Sequence, residues 1–175
     1  MNVTVLYVSG PGTVVGALSQ RADPAGAPAS PSDLAGSDFP VRTDGTVVSI
    51  PVGLLGIASI DPTGTDGVFD DPGCYVIDVT AGSKPKLKCA TNPSPSTLAL
   101  SQASGITISD AKIPDSVSAV VVLQDTTAQA AVHTFKGTTT AGQFQVPTPL
   151  APGPWNVAWF IAGSRPGTAA GITAA

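Results

Sequence analysis

The chain is 175 residues long with a net charge of −4, and only 11% of its residues are charged, against about 25% in an ordinary domain. It is 42% hydrophobic, which excludes a disordered polyelectrolyte. Its 8 Lys and Arg form no cluster, which argues against nucleic acid as a partner, because phosphate contacts need concentrated positive charge.

All 12 acidic residues are Asp. Asp favours turns and caps, whereas the absent Glu is a good helix former. The 19 Gly and 17 Pro sit between short apolar runs. That is the pattern of short strands joined by tight turns, so the expected fold is all-β, an antiparallel β-sandwich. No stretch approaches the roughly 20 apolar residues of a membrane-crossing helix, so no membrane span is expected. Low charge also weakens the repulsion that keeps soluble proteins apart. It suits a subunit covered by its neighbours in an assembly, or a secreted domain.

Residues 2–9, NVTVLYVS, read as a strand, and residues 13–19 as a second one after a Gly10-Pro11-Gly12 turn. Gly10, Gly12 and Gly16 after a strand, with Asp23 beyond, resemble a nucleotide-binding pattern. Such a site needs a helix opening at the glycines. Thr13-Val14-Val15 and then a Pro-rich segment leave no room for one, so these are turn glycines. No basic segment precedes the first strand, so no signal peptide is expected. Either the chain is assembled in the cytoplasm, or Met1 stands where a leader was removed.

Residues 23–38, DPAGAPASPSDLAGSD, read as a long surface loop, either mobile or, alternatively, extended across an adjacent subunit. Residues 39–42 form a short edge strand. Residues 46–52 and 54–60 are apolar strands of the sandwich interior around Pro51 and Gly53. In residues 61–73, DPTGTDGVFDDPG, Asp61, Asp66, Asp70 and Asp71 lie among glycines and prolines. Calcium takes about 6–8 oxygen ligands, but this spacing is not that of an EF-hand. Turn chemistry is the main reading, with calcium as a weak alternative. No other metal and no cofactor is expected.

Residues 74–89, CYVIDVTAGSKPKLKC, read as a hairpin. A turn centred on Ala81-Gly82 places Cys74 opposite Cys89, at disulfide distance, and Val76 opposite Leu87. The other face then pairs Tyr75, Ile77 and Val79 with Lys88, Lys86 and Lys84. Alternating lysines protect a sheet edge, and Pro85 also belongs on one. Docking of an acidic neighbour on the lysines is the alternative. Two cysteines and one distant histidine do not make a four-ligand metal site. A bridge implies an oxidising location.

Residues 90–96, ATNPSPS, read as a linker. It divides the chain into an N-terminal β lobe, residues 1–90, and a C-terminal lobe, residues 97–175, with a single continuous sandwich as the alternative. In the second lobe strands are expected at residues 97–101, 105–109, 116–124, 131–136, 143–146 and 155–162. Residues 116–124 are apolar on both faces and should be central. Trp155, Val157, Trp159 and Ile161 share one face of the last strand, with Asn156, Ala158 and Phe160 on the other. The tail, residues 164–175, is expected to be loosely held.

The run Gly142-Gln143-Phe144-Gln145-Val146, then Leu150-Ala151-Pro152-Gly153, then Val157 and Phe160, resembles the last two strands of bacterial immunoglobulin-like and carboxypeptidase-regulatory-like domains. The resemblance covers about 25 residues and brings no catalytic residue. The N-terminal half has no such match; the resemblance implies a scaffold for adhesion, tethering or particle building, and with the linker the expected architecture is two small immunoglobulin-like lobes.

No catalytic constellation is visible. His133 is the only histidine, there is no G-x-S-x-G elbow, and no Asp pair stands out. Trp155 and Trp159 pack a core or, alternatively, offer a flat platform to sugar rings. The expected function is therefore a non-catalytic structural subunit of a larger assembly, a phage-like tail or injection particle or a surface appendage, partnered by other protein subunits. The alternative is a secreted or surface module binding carbohydrate or protein. The expected location is an extracellular particle or the cell surface.

Overall fold

A computed structural model describes residues 2–20, 30–43, 46–61, 66–79, 84–127 and 131–175. The N-terminal half contributes β1 (Asn2–Val8), β2 (Val14–Gln20), β3 (Asp38–Thr43), β4 (Thr46–Pro51), β5 (Leu55–Ile60), β6 (Tyr75–Asp78) and β7 (Lys86–Cys89). The C-terminal half contributes β8 (Thr97–Ser101), β9 (Gly105–Ser109), β10 (Ser118–Asp125), β11 (Val132–Thr138), β12 (Gln143–Val146), β13 (Pro154–Ile161) and β14 (Gly167–Thr173). All pairings are antiparallel, in sheets ordered β2-β1-β5, β3-β4, β6-β7, β12-β9-β8 and β11-β10-β13-β14. The chain is all-β and sandwich-like, and no barrel closes among the described residues.

Side-chain alternation sets the layers. In β10 and β13, Ala119, Val121, Leu123, Trp155, Val157, Trp159 and Ile161 face the β12-β9-β8 sheet and pack on Leu100, Ile106, Ile108 and Phe144. The opposite face presents Val120, Val122, Ala158 and Phe160 to the N-terminal half, where Leu6, Val8, Val48, Ile50 and Leu55 meet it. The far face of the β2-β1-β5 sheet carries Val3, Val5, Ala58 and Ile60 against Val14, Val68 and Ile77. No described sheet mixes strands from both sides of residues 90–97, yet the middle core draws on both. The expected boundary thus divides the hydrogen bonding but not the packing.

The linker is strapped down. The Ala90 N–H donates to the Cys74 carbonyl at 2.8 Å, and the Thr91 and Asn92 N–H groups both donate to Gly163 at 3.1 Å. The Arg165 N–H returns a bond to the Asn92 carbonyl at 3.0 Å. Asp110 holds the end of the linker, accepting from the Ser96 hydroxyl at 3.1 Å.

Two corners join the sheets of the C-terminal half. On one side Thr140 and Gln143 exchange both backbone bonds around Ala141 (φ 50°) and Gly142 (φ 72°), carrying the chain from β11 to β12. Positive φ at both central residues is the geometry of a type I′ turn. On the other side Ala175 accepts from the Gln102 N–H at 3.0 Å, beside β8.

Two expectations need correction. The tail is not loose: Gly167–Thr173 is β14, paired with β13, and Ala174 beyond it is buried. Its small residues gave no strong strand signal. Gly167 is required because a Cβ there would lie 2.3 Å from the Trp159 ring. The expected loop at residues 23–38 also contains structure. Residues 23–29 lie outside the described residues, but Pro31–Ala35 forms a short helix, α1. Ser30 caps it, and Asp33 reaches back to the Ser30 N–H at 2.8 Å, which makes a reciprocal capping box with Pro at the first turn.

The shared middle core makes a specific prediction. Phe160 is fully buried in it, so Phe160→Ala should cost about 3–5 kcal/mol. Hydrogen exchange should show the loss in β4 of the N-terminal half as well as in β10. Loss confined to the C-terminal half would contradict a core common to both halves.

Candidate functional site

The Cys74–Cys89 bridge is not formed: both cysteines are free. The register explains this. Tyr75 pairs with Cys89, Val76 with Lys88, Ile77 with Leu87 and Asp78 with Lys86, one residue out of step with expectation. The slip brings Ile77 and Leu87 together against the core formed by Val3, Val5 and Ile60. Burial of an apolar pair decides register, because a one-residue shift turns every side chain over. Cys74 falls opposite Ala90 instead and its thiol donates to Asp71 Oδ2 at 2.7 Å.

The same slip moves the lysines. Lys86 and Lys88 lie opposite Asp78 and Val76, not Ile77 and Tyr75, and Lys88 forms an ion pair with Asp78. Lys84, Lys86 and Lys88 are all exposed, and β7 has no strand beyond it among the described residues. Charged side chains on an outermost strand oppose unwanted pairing.

Trp155 and Trp159 are only 3% and 6% exposed, so neither offers a platform to solvent. The Trp155 indole donates to the Ala151 carbonyl at 3.2 Å, and His133 stands edge-on to its ring with centroids 5.6 Å apart. Asp61, Asp70 and Asp71 are exposed; the Asp66 side chain lies outside the described ones. Among the described residues no three His, Cys, Asp or Glu side chains form a metal-binding group.

The structure brings other residues together. A cleft of about 530 Å³ lies at the junction of the halves. Val14 and Val15 of β2, residues 39–42 of β3 and residues 70–73 line it from the N-terminal half, and Ser94, Arg165 and Pro166 from the C-terminal half. Its shape depends on close approach, since a Cβ on Gly73 would stand 3.1 Å from the Pro166 ring. Arg42 and Arg165 are far apart in sequence and belong to no motif, so nothing in their spacing marked them. Cys74 adjoins this cleft, and its pKa is raised, by burial first and then by the Asp71 hydrogen bond and charge. A thiol held protonated is a poor nucleophile.

No family model, no curated protein and no solved structure matches the chain.

Two predictions follow from these contacts. Iodoacetamide near pH 8 should label the exposed Cys89 well before Cys74, as read by peptide mass mapping. Equal rates would contradict the Asp71–Cys74 contact. The second concerns Asp110, whose pKa is lowered by the Lys112 N–H and then by Ser96. Its contribution to stability is complete above the ordinary Asp pKa near about 3.9 and is lost as pH falls through the depressed folded value. Asp110→Asn should therefore flatten the acid limb of the stability–pH curve, measured by urea unfolding.

Proposed function

We propose that the chain is a non-catalytic structural subunit of a larger assembly, of the kind that builds phage-like tails, injection particles or surface appendages. The observation that carries this reading is the outer edge of β5. Leu55, Ala58 and Ile60 are buried, and LGIASI holds no charge and no proline. Among the described residues β5 pairs with β1 alone.

Several other edges are defended. β7 carries Lys86 and Lys88 after Pro85, and β2 has a register shift opposite Leu6/Tyr7. β14 has another register shift, where the Asn156 side chain accepts from the Gly171 N–H. Ala175 bonds the end of β8. Lysines, prolines, bulges and coverings are the usual ways a sheet avoids adding strands; among the described residues β5 carries no lysine, proline or register shift, and the short helix α1 lies near it. A neutral open edge on a chain this poor in charge suits pairing with another subunit. The resemblance of residues 142–160 to immunoglobulin-like domains fits the same reading, since such domains are scaffolds. The sugar-binding alternative loses its platform with both indoles buried.

Light scattering behind a sizing column tests the proposal. The untagged protein should show a mass that rises with concentration above 17.3 kDa. Ser59 is exposed on β5, so Ser59→Lys should restore the monomer without altering the fold. A monomer at every concentration sinks self-assembly through β5.

A further inference from the structure

The junction cleft has an excess of donors. Arg42 and Arg165 enter it from opposite halves of the chain, and among the described residues neither guanidinium has a salt-bridge partner. A third donor lies close by. Trp159 Nε1 is buried with no acceptor, on a ring whose edge crowds Gly167 beside the Ser94 hydroxyl that lines the cleft. An indole N–H left unsatisfied in the interior is destabilising.

The acids nearby do not answer this demand. Asp71 accepts the Cys74 thiol, and Asp70 is exposed on the lining. Asp70 and Asp71 also limit what can enter, because a ligand with several negative charges would be repelled. The rest of the lining is apolar, with Val14, Val15, Phe39 and Pro166 among it. A volume of about 530 Å³ falls in the range of ligand sites, roughly 300–1,000 Å³.

We propose that this cleft binds a single carboxylate carried on an apolar group, with Arg42 and Arg165 gripping the carboxylate and the half-buried Val15, Phe39 and Val41 covering the apolar part. Guanidinium–carboxylate pairs are the strong, charge-assisted kind of hydrogen bond. Strand addition is a poorer use of the same space. β2 has a register shift there, and Pro40 of β3 offers no N–H. The inference does not rest on the assembly reading, because the cleft and the β5 edge are different surfaces.

Titration calorimetry at low ionic strength tests it with three probes: acetyl-Val-Pro-Val with a free C-terminal carboxylate, the same peptide as its C-terminal amide, and hexanoate. The acid peptide should bind, and the amide should bind at least about tenfold more weakly, because it has lost the charge. Arg42→Gln and Arg165→Gln should each weaken the acid peptide by about tenfold. Both arginines are exposed, so an unchanged unfolding midpoint separates lost binding from lost folding. Lys112→Gln, a cation outside the cleft lining, should leave affinity unchanged.

Competition by hexanoate would mean that a free organic acid suffices, and binding of the peptide alone would make a peptide terminus the source. Three results overturn the proposal. They are no binding by either acid, equal binding by acid and amide, and an equal loss in Lys112→Gln, which would reduce the effect to general charge.

Discussion

Burial of both faces of β10 and β13 is the constraint on which the rest of the molecule depends. A strand apolar on one side can lie on the outside of a sandwich. A strand with Val121 and Leu123 on one face and Val120 and Val122 on the other must lie between two layers. The C-terminal half supplies only one of them, the β12-β9-β8 sheet. The other is the N-terminal half, which sets β4 and one face of the β2-β1-β5 sheet against Val120, Val122, Ala158 and Phe160. Separating the halves would uncover a contiguous apolar face, which soluble domains rarely expose. The bonds from residues 90–92 to Cys74 and Gly163 are consistent with that arrangement. A stiff extended linker would be out of place where the halves share a core.

Much of this was legible in the residue pattern. Period-two alternation located β10 and β13 and assigned each side chain to its face, because the apolar residues on both faces are large and β-branched or aromatic. Tight turns rich in Gly and Pro located the other strands before residue 164. Three features were misread, each for a physical reason. The β6–β7 register depended on which apolar pair the distant core would take, and Ile77 with Leu87 won over Val76 with Leu87. β14 was missed because its small residues are selected by the Trp159 ring above Gly167 and not by their own propensity. α1 carried a readable signal, Ser30 followed by Asp33 with Pro31 between, but the surrounding Pro and Ala hid it.

The junction cleft was not legible at all. Its two arginines come from separate halves and line one cleft where residues 163–165 are tied to the linker. No local spacing encodes such a meeting. By contrast, residues 61–73 read mainly as turn chemistry in sequence, with calcium as a weak alternative. In the structure Asp71 accepts the Cys74 thiol. Asp in a Pro/Gly-rich segment is weak evidence for a cation unless several carboxylates converge, and the fold decides convergence.

Scarcity of charge links the layers to the edges. With few Lys and Asp to distribute, the chain cannot defend every outer strand electrostatically. It concentrates lysines on β7 and uses geometry elsewhere: register shifts at β2 and β14, a sheet-crossing turn between β11 and β12, and a terminal residue bonded beside β8. Such devices twist, bend or cover an edge without needing charge. β5 cannot easily accept any of them. Its Leu55, Ala58 and Ile60 side chains are committed to cores on both faces, so a bulge would pull Leu55 or Ile60 out of contact, and a lysine at one of these positions would need a partner there. The same double burial that holds the two halves together therefore leaves β5 regular and uncharged among the described strands.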